Sequence, residues 1–237
     1  MSMRPNKPVF RHEIKYLITN RDCEVLRHRL KDILRLDENT TGSEYSVRSM
    51  YFDDYWASAY NDKVDGHSDR KKYRIRTYDL NPDNIRLECK IKSGSYVNKQ
   101  SVSLSKDEYD KIIEGDYAFL LKRREGLCGM FYFELTGRVA RPSVIVDYER
   151  EPYILDAGTV RVTLDKNVRA IAPGFGLLYG DAPCRHVLEP GKAVLEVKYT
   201  EFLPTLIRQL LPLRGAELGA VSKYVLCSEK TNYLLAR

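Results

Sequence analysis

Charged and apolar residues alternate along five segments of this chain, and this period of two constrains the fold more than any other feature. In the clearest segment, residues 85–92, the even positions are charged and the odd positions are apolar. Successive side chains of a β-strand point to opposite faces, so the pattern predicts a strand with one charged face. The other four segments lie at residues 11–16, 73–76, 160–165 and 195–199.

Two sheet arrangements are consistent with this alternation. An antiparallel sheet with one face in water is apolar on one side and charged on the other. A closed barrel can instead turn its charged faces inward while helices cover the apolar exterior. The charged faces here contain tight pairs, such as Arg74 with Arg76 and Glu196 with Lys198, rather than the usual mixture with Ser, Thr, Asn and Gln. This composition favours a strand-built cavity for a polyanion, although periodicity alone leaves both arrangements open.

Length and composition indicate one soluble domain spanning residues 1–237. The chain is 43% hydrophobic and 30% charged, and it contains no repeat, low-complexity tract or linker. No stretch approaches the roughly 18 apolar residues of a membrane span. Residues 1–8 are not followed by the apolar segment and cleavage site of a signal peptide. We therefore expect a cytoplasmic protein without a membrane span.

The cysteines and the net charge narrow the classes of function. The five cysteines are scattered and form no C-x-x-C pair, so neither a disulfide framework nor a structural zinc site is indicated. Cys89 alternates onto an apolar face and is predicted to be buried. The net charge of +6 favours an anionic partner. Nucleic acid ranks low as that partner, because many of the 17 tyrosines alternate with charge along strands, where packing is their commoner use.

Local signals place helices between the strands. Thr19 and Asn20 offer an N-cap for a helix to about Leu36, and Ser105 with Glu108 forms a capping box. Further helices are expected at residues 116–138, 202–211 and 228–235. The expected strands lie at residues 45–52, 73–78, 84–92, 99–104, 143–150, 153–155, 160–165 and 193–199. The pair at residues 53–54 is interpreted as turn chemistry rather than a metal site, because adjacent strand residues point apart.

A series of short motifs in the same order resembles a known family. The motifs are Glu13-Ile-Lys15-Tyr16, Ser49-Met-Tyr51-Phe52-Asp53, Tyr73-Arg74-Ile-Arg76, Leu87-Glu88-Cys-Lys90, Arg141-Pro142, Tyr148-Glu-Arg150, Val160-Arg161-Val-Thr-Leu-Asp165, Val194-Leu-Glu196-Val-Lys198 and Ser222-Lys223-Tyr224. Together they resemble the VTC domain, the polyphosphate polymerase branch of the triphosphate tunnel (CYTH-like) superfamily. The resemblance covers nearly the whole chain. It is closest to a stand-alone, bacterial-type member.

The resemblance implies an α+β fold, an antiparallel β-barrel tunnel with helices packed on the outside. The charged strand faces would line the tunnel and bind the triphosphate of ATP. The implied catalytic residues are Arg74, Arg76, Lys90, Arg150, Arg161 and Lys198. The implied substrate-binding residues are Lys15, Lys99, Ser222 and Lys223. Glu196 matches the family's metal-binding glutamate. Glu88 and Glu13 are weaker candidates for the metal or for orienting lysines. The expected cofactor is Mn²⁺ or Mg²⁺.

The residue types suit this chemistry in their own right. Arginine offers paired donors to phosphate oxygens, and lysine acts as a point charge. Phosphoryl transfer requires mainly positioning and charge neutralisation, and a carboxylate with phosphate oxygens suits a hard divalent cation. The resemblance, with residue types that suit it, therefore implies a metal-dependent polyphosphate polymerase that uses ATP. A tripolyphosphate or nucleoside triphosphate hydrolase and a non-catalytic polyphosphate binder are the alternatives.

Two positions depart from the family pattern. Many tunnel hydrolases open with Glu-x-Glu-x-Lys, whereas the first of those positions here is Arg11. A tunnel poorer in carboxylate favours holding a polyphosphate product over activating water. The eukaryotic polymerases carry a lysine two residues before the Ser-Lys pair, and this chain has Ala220 there. Loss of that phosphate contact would alter the binding of the polyphosphate product or the choice of substrate.

Overall fold

The strands form one antiparallel sheet that curls until side chains from distant strands meet. The computed structural model describes residues 12–38, 40, 42–94, 96–200, 202–211, 216–219 and 221–235. The strands are β1 (His12–Thr19), β2 (Arg35–Leu36), β3 (Tyr45–Asp53), β4 (Arg70–Tyr78), β5 (Ile85–Ser93), β6 (Tyr96–Leu104), β7 (Arg141–Leu155), β8 (Val160–Ile171), β9 (Cys184–His186), β10 (Lys192–Tyr199) and β11 (Glu217–Leu218). The helices are α1 (Asn20–Leu30), α2 (Ser58–Val64), α3 (Lys106–Glu114), α4 (Gly126–Gly137), α5 (Thr205–Leu210) and α6 (Lys223–Leu235).

The order of strands shows how strongly the sheet curls. Its main path runs β11-β1-β10-β8-β7-β3-β4-β5-β6, with β2 paired to β7 and β9 paired to β8. Five strands separate β1 from β5 along this path, yet Lys90 Nζ of β5 lies 3.2 Å from Glu13 Oε2 of β1. The predicted fold class, an antiparallel tunnel with outer helices, is confirmed. One detail differs, because no hydrogen-bonded pairing of the described strands joins β6 to β11 and the barrel is not strictly closed.

Helices cover the outer face of the sheet on two sides. Phe131 of α4 and Ile112 of α3 pack against Ile75 and Leu87 of the β4–β5 hairpin. A second cluster, which includes Leu26, brings α1 and α5 against β8 and β10. The apolar halves of the alternating segments thus lie beneath helices, and Cys89 is fully buried as predicted. The charged halves therefore face the interior of the curled sheet.

Helix α6 lies inside the curl rather than on its outside. Tyr224 and Cys227 of α6 pack on Val47, Val146 and Tyr148, which lie on the inner faces of β3 and β7. The inner surface of the central strands is therefore apolar and buried. This contact confines the charged cavity to the space that α6 leaves free.

The predicted N-cap at Thr19 and the predicted capping box at Ser105 are both present, and Thr19 also forms a capping box. The Thr19 hydroxyl accepts a hydrogen bond from the Asp22 amide at 3.1 Å, and the Asp22 carboxylate accepts one from the Thr19 amide at 2.9 Å. Ser105 and Glu108 make the reciprocal pair at the start of α3. Gly115, at a φ of 91°, then ends α3 in a left-handed conformation that glycine adopts without strain.

Several predicted element boundaries were wrong because of pairing with distant residues. Helix α1 ends at Leu30 rather than Leu36, since Leu36 pairs in strand β2 with Tyr153 of β7. The predicted strands 143–150 and 153–155 form one strand, in which Pro152 lies opposite Thr163 of β8. Strand β8 continues beyond its predicted end, and α6 begins earlier than predicted.

The predicted helix at residues 116–138 is divided in two. A short 3-10 helix, Ala118–Lys122, precedes α4. The backbone of Arg123 is extended between them. Its guanidinium forms ion pairs with Glu108 (Nη1 to Oε1, 2.6 Å) and Glu125 (Nη2 to Oε1, 2.8 Å). These contacts fix a sharp break where helix periodicity alone indicated continuity.

The turn role predicted for residues 53–54 is confirmed. Asp53 Oδ1 accepts the amide hydrogen of Ala59 at 2.8 Å, and Asp54 Oδ1 accepts that of Ser58 at 2.9 Å. Both carboxylates therefore cap the first turn of α2. Within the part of the chain described, no helix is both long and apolar enough to span a membrane. The assignment of residues 1–237 to one domain stays a prediction.

Candidate active site

Charged side chains line two walls of the cavity. The first wall consists of β1, β10 and β8, whose register sets Lys15 beside Glu196 and Lys198 beside Arg161. The second wall consists of β4, β5 and β6, whose register sets Arg74 beside Glu88. Strand β7 joins the walls through β3. Residues that are far apart in sequence thus face one cavity.

Glu196 is a buried carboxylate among cations. Its side chain is 6% exposed, its Oε1 lies 2.6 Å from Lys198 Nζ, and its Oε2 lies 3.7 Å from Arg150 Nη2. Burial alone would raise the pKa of Glu196, but Lys198, Lys15, Lys223 and Arg150 outweigh it and hold the pKa well below its ordinary value. Glu196 is therefore ionised at neutral pH.

Glu13 connects the first wall to the second. Its Oε1 lies 2.7 Å from Lys15 Nζ and its Oε2 lies 3.2 Å from Lys90 Nζ. Burial lowers the pKa of Lys15, but Glu196 and Glu13 outweigh that effect and raise it overall. Lys15 therefore stays charged beside two carboxylates.

Asp165 holds two cations together at the base of the cavity. Its side chain is fully buried and accepts two hydrogen bonds from Arg150, at 2.7 and 2.8 Å. Lys223 of α6 lies 2.5 Å from the same carboxylate, and both cations contact the ring of Tyr148. Paired donors in this geometry fix the plane of the guanidinium. Asp165 thereby orients Arg150 and anchors the start of α6.

Arg74 and Arg76 are held by polar partners on the second wall. Arg74 Nε donates to Glu88 Oε2 at 2.8 Å and its Nη1 donates to Tyr51 Oη at 2.8 Å. Arg76 Nε donates to Ser49 Oγ at 2.8 Å. Each guanidinium keeps further N–H groups for an anion, since arginine has five donors. The two side chains are therefore preorganised.

The Glu88 carboxylate forms ion pairs with cations of its own wall. Burial raises its pKa, but Arg74, Arg76 and Lys99 lower it more, to about 2. Its carboxylate contacts both Arg74 and Lys99. Four strands separate β5 from β10 along the sheet, so Glu88 and Glu196 belong to different walls. This arrangement suits the orienting role considered for Glu88 better than a metal-binding one.

The remaining predicted residues lie around these walls. Arg161 Nη2 lies 2.8 Å from Asp37 Oδ2 and donates to Tyr45 Oη at 3.1 Å. Ser222 precedes α6, and its hydroxyl oxygen accepts from the Val225 amide at 3.4 Å, so it caps this helix. Arg11 and Ala220, where the sequence departs from the family pattern, lie outside the described residues.

Comparison with known proteins identifies the family. A family model described as the VTC domain matches residues 10–232. This chain belongs to the VTC domain family. No curated protein sequence matches the chain.

Solved structures share the fold of this VTC domain at low sequence identity. The PH1819 protein of Pyrococcus horikoshii OT3 is 16% identical, covers 93% of this chain and 99% of its own, and superposes with a TM-score of 0.51. The Hippeastrum protein HpAC1, a proposed adenylyl cyclase described as having a dominant triphosphatase activity, is also 16% identical. That match covers 92% of this chain and 95% of the other, with a TM-score of 0.55. Both matches support the triphosphate tunnel fold.

The carboxylates of the VTC domain suit a metal only in partnership with a ligand. Among the described residues, no group of three or more His, Cys, Asp and Glu side chains is placed to hold a metal ion. Glu196 is ionised and buried, and Mg²⁺ typically binds one or two carboxylates together with substrate phosphates. The donor set therefore fits a hard divalent cation that enters with a phosphorylated substrate.

Two further lysines, Lys72 and Lys63, also lie at the cavity. Neither was predicted from the sequence. Lys72 of β4 lies 4.3 Å from the ring centroid of Tyr224, and burial together with Lys63, Arg70 and Lys90 lowers its pKa to about 7. The alternation that identified Arg74 and Arg76 extends to Lys72, two residues earlier, so the sequence contained a signal for it. Lys63 lies on α2, where no strand pattern could indicate its position.

Proposed function

We propose that this VTC domain is a metal-dependent polyphosphate polymerase that uses ATP. One observation carries the proposal: two preorganised cationic walls face one cavity that contains the ionised Glu196. One wall is centred on Arg74 and Arg76, and the other on Lys15 and Lys198. A triphosphate carries several negative charges, and a cavity with fixed cationic donors stabilises them without reorganisation. The match to the VTC domain family supports the same substrate class.

The proposed reaction is a transfer of one phosphoryl group. An oxygen of the terminal phosphate of the growing chain attacks the γ-phosphorus of ATP. A new P–O–P bond forms as the bond between the γ-phosphorus and the bridging oxygen breaks, and ADP leaves with that electron pair. Arg74, Arg76 and Lys198 orient the phosphates and neutralise the charge that shifts to ADP. The chain is longer by one phosphate after each cycle.

The divalent cation, Mn²⁺ or Mg²⁺, would be held by Glu196 together with phosphate oxygens. When bound, it supplies further neutralisation of the phosphate charge. Lys15 and Lys198 flank Glu196 and keep its carboxylate in place. Arg150, Arg161, Lys90, Lys99, Ser222 and Lys223 complete the proposed contacts with the anion.

A hydrolase of tripolyphosphate or nucleoside triphosphates is the second candidate. The triphosphatase activity described for the Hippeastrum protein of the same fold favours it. In that reaction water replaces the terminal phosphate as nucleophile, and orthophosphate is released. A non-catalytic polyphosphate binder would keep the cationic walls and show no turnover.

One experiment separates these functions. The purified protein is incubated with ATP and Mn²⁺, its products are resolved on a gel stained for polyphosphate, and ADP and orthophosphate are assayed in parallel. Long chains with a matching amount of ADP are expected for the polymerase. Orthophosphate without chains would establish the hydrolase. Binding of tripolyphosphate without turnover would establish the binder.

A further inference from the structure

A buried hydroxyl on the first wall has no hydrogen-bond partner among the residues that the structure describes. It belongs to Thr163 of β8, which is 3% exposed. Thr163 alternates with Val162 and Leu164, which pack under the outer helices, so its side chain lies on the inner face of the sheet. Buried polar groups are normally hydrogen bonded, because an unpaired one costs free energy. Thr163 is thus an exception within the wall that holds Glu196.

The register of the sheet places Glu196 beside this hydroxyl. Glu196 of β10 is the direct antiparallel partner of Thr163, and side chains paired in this way have Cβ atoms about 4.5–5.5 Å apart. On its other side, Thr163 is paired with Pro152 of β7, whose side chain has no acceptor. The next carboxylate along the same face, Asp165, already accepts two hydrogen bonds from Arg150. Glu196 is therefore the acceptor best placed for Thr163.

Glu196 has room for another donor. Its Oε1 lies 2.6 Å from Lys198 Nζ, whereas its Oε2 lies 3.7 Å from Arg150 Nη2, which is too long for a hydrogen bond. The two oxygens of a carboxylate offer about four lone-pair sites in all. A threonine hydroxyl points to different neighbours in its different staggered rotamers. A small change at either side chain would therefore form the missing hydrogen bond.

A phosphorylated ligand supplies the reason for such a change. Lys15 and Lys198 flank Glu196 and are also proposed phosphate contacts, so a triphosphate competes with Glu196 for both lysines. Carboxylates that bind a metal usually accept a hydrogen bond that fixes their orientation. A neutral hydroxyl can donate that bond without cancelling the negative charge that attracts the cation, whereas a lysine would oppose the cation.

We propose that Thr163 is a positioning residue for Glu196. When a phosphorylated substrate and its divalent cation enter the cavity, the Thr163 hydroxyl donates to a Glu196 carboxylate oxygen and holds the carboxylate for the cation. This inference rests on the proposed function, because it requires that Glu196 bind the cation. It applies to the transferase and to the hydrolase alike, and it explains why a buried hydroxyl is kept without a partner.

The test removes the hydroxyl and measures what the cation adds to ligand binding. Imidotriphosphate, in which NH groups replace the bridging oxygens of tripolyphosphate, binds without turnover. Its affinity is measured by calorimetry with Mn²⁺ and with EDTA, and the ratio of the two affinities is the metal-dependent gain. Thr163→Val removes the hydroxyl and keeps the shape, and Thr163→Ala is the second removal if the added methyl group does not fit. Thr163→Ser restores the hydroxyl. Thr136→Val is the matched control, because Thr136 is an exposed residue of α4 whose hydroxyl donates to the Tyr132 carbonyl.

We expect Thr163→Val to lose about tenfold or more of the metal-dependent gain, the scale on which the hydrogen-bond partners of metal ligands act. Affinity in EDTA should stay at the wild-type value. The free energy of unfolding without metal should not fall, because the hydroxyl gives up no partner. Thr163→Ser should recover the gain, and Thr136→Val should keep it.

Three results overturn the positioning role and leave the proposed function intact. The first is an unchanged metal-dependent gain in Thr163→Val. The second is a loss of gain that Thr163→Ser does not recover. The third is a fall in the free energy of unfolding together with equally weakened binding in Mn²⁺ and in EDTA, which would make the hydroxyl a structural group. If the wild-type protein itself gains no affinity from Mn²⁺, the metal-dependent function fails and the inference with it.

Discussion

Lys223 of helix α6 and Asp165 of strand β8 form an ion pair of 2.5 Å inside the curled sheet. The lysine side chain is 12% exposed and the aspartate is fully buried. Arg150 bonds the same carboxylate, so a single acid joins the helix to the cationic wall. The position of Lys223 at the start of α6 and the orientation of Arg150 thus share one carboxylate.

Replacing Lys223 tests this connection. In Lys223→Ala, Asp165 keeps Arg150 but loses its second cation, so we expect the free energy of unfolding to fall by about 1–3 kcal/mol. Urea unfolding followed by circular dichroism measures the change. Lys230→Ala, which removes an exposed lysine from the same helix, is the control. An equal loss of stability in both variants would contradict the role of the ion pair.

The Arg74→Ala, Arg76→Ala variant tests the second wall. Each charge-assisted hydrogen bond to an anion contributes about 1.5–3 kcal/mol, so we expect tripolyphosphate to bind at least about a hundredfold more weakly. Turnover of ATP should fall as well. Isothermal titration calorimetry gives the binding constant. Lys122→Ala, Arg124→Ala has the same change in net charge on an exposed outer segment and should bind normally. Normal binding and turnover in the Arg74→Ala, Arg76→Ala variant would rule out the cavity assignment.

Glu196→Gln separates metal-dependent turnover from anion binding. The amide keeps the shape of the carboxylate but removes the negative charge. We expect turnover with Mn²⁺ to fall on the order of a hundredfold, the scale on which single electrostatic catalytic contacts act. Tripolyphosphate binding without metal should persist or strengthen, because Lys15 and Lys198 lose a competing anion. Loss of that metal-free binding would show that Glu196 has a structural role instead.

Lys72 should couple anion binding to proton uptake. Burial is the first cause that lowers its pKa to about 7, followed by Lys63, Arg70 and Lys90, while Asp53 opposes the shift. A bound polyanion near these cations raises the Lys72 pKa, so binding near pH 8 should take up protons. Calorimetry in two buffers of different ionisation enthalpy measures this uptake. It should shrink in Lys72→Met and persist in Lys122→Met. Equal uptake in wild type and Lys72→Met would refute the coupling.

The lowered pKa of Lys72 also makes the free energy of unfolding depend on pH. The ordinary lysine pKa is 10.5, so between about pH 7 and pH 10.5 the unfolded chain binds more protons at Lys72 than the folded chain does. The contribution of Lys72 to the free energy of unfolding therefore rises as the pH rises through that window. Urea unfolding of the wild type at several pH values, compared with Lys72→Met, measures the contribution. The variant should show a smaller rise.

Much of the fold followed from local patterns. The alternation at residues 85–92 identified both faces of β5. The N-cap at Thr19 and the capping box at Ser105 placed the starts of two helices. Side-chain direction in a strand and hydrogen bonding at a helix start are set within a few residues, so they can be read along the chain. Boundaries such as the end of α1 were misjudged because they depend on β7, more than a hundred residues away.

The sequence by itself determined which residues alternate onto the charged faces, since period-two geometry is local. Family resemblance then indicated that those faces line a cavity. Only the tertiary structure decided which acid pairs with which base. Glu88 is held by Arg74 and Lys99, Asp165 joins Arg150 to Lys223, and Glu13 reaches Lys90 across the curl. The low pKa of Lys72 likewise depends on how far the sheet curls, which is set by packing between strands distant in sequence.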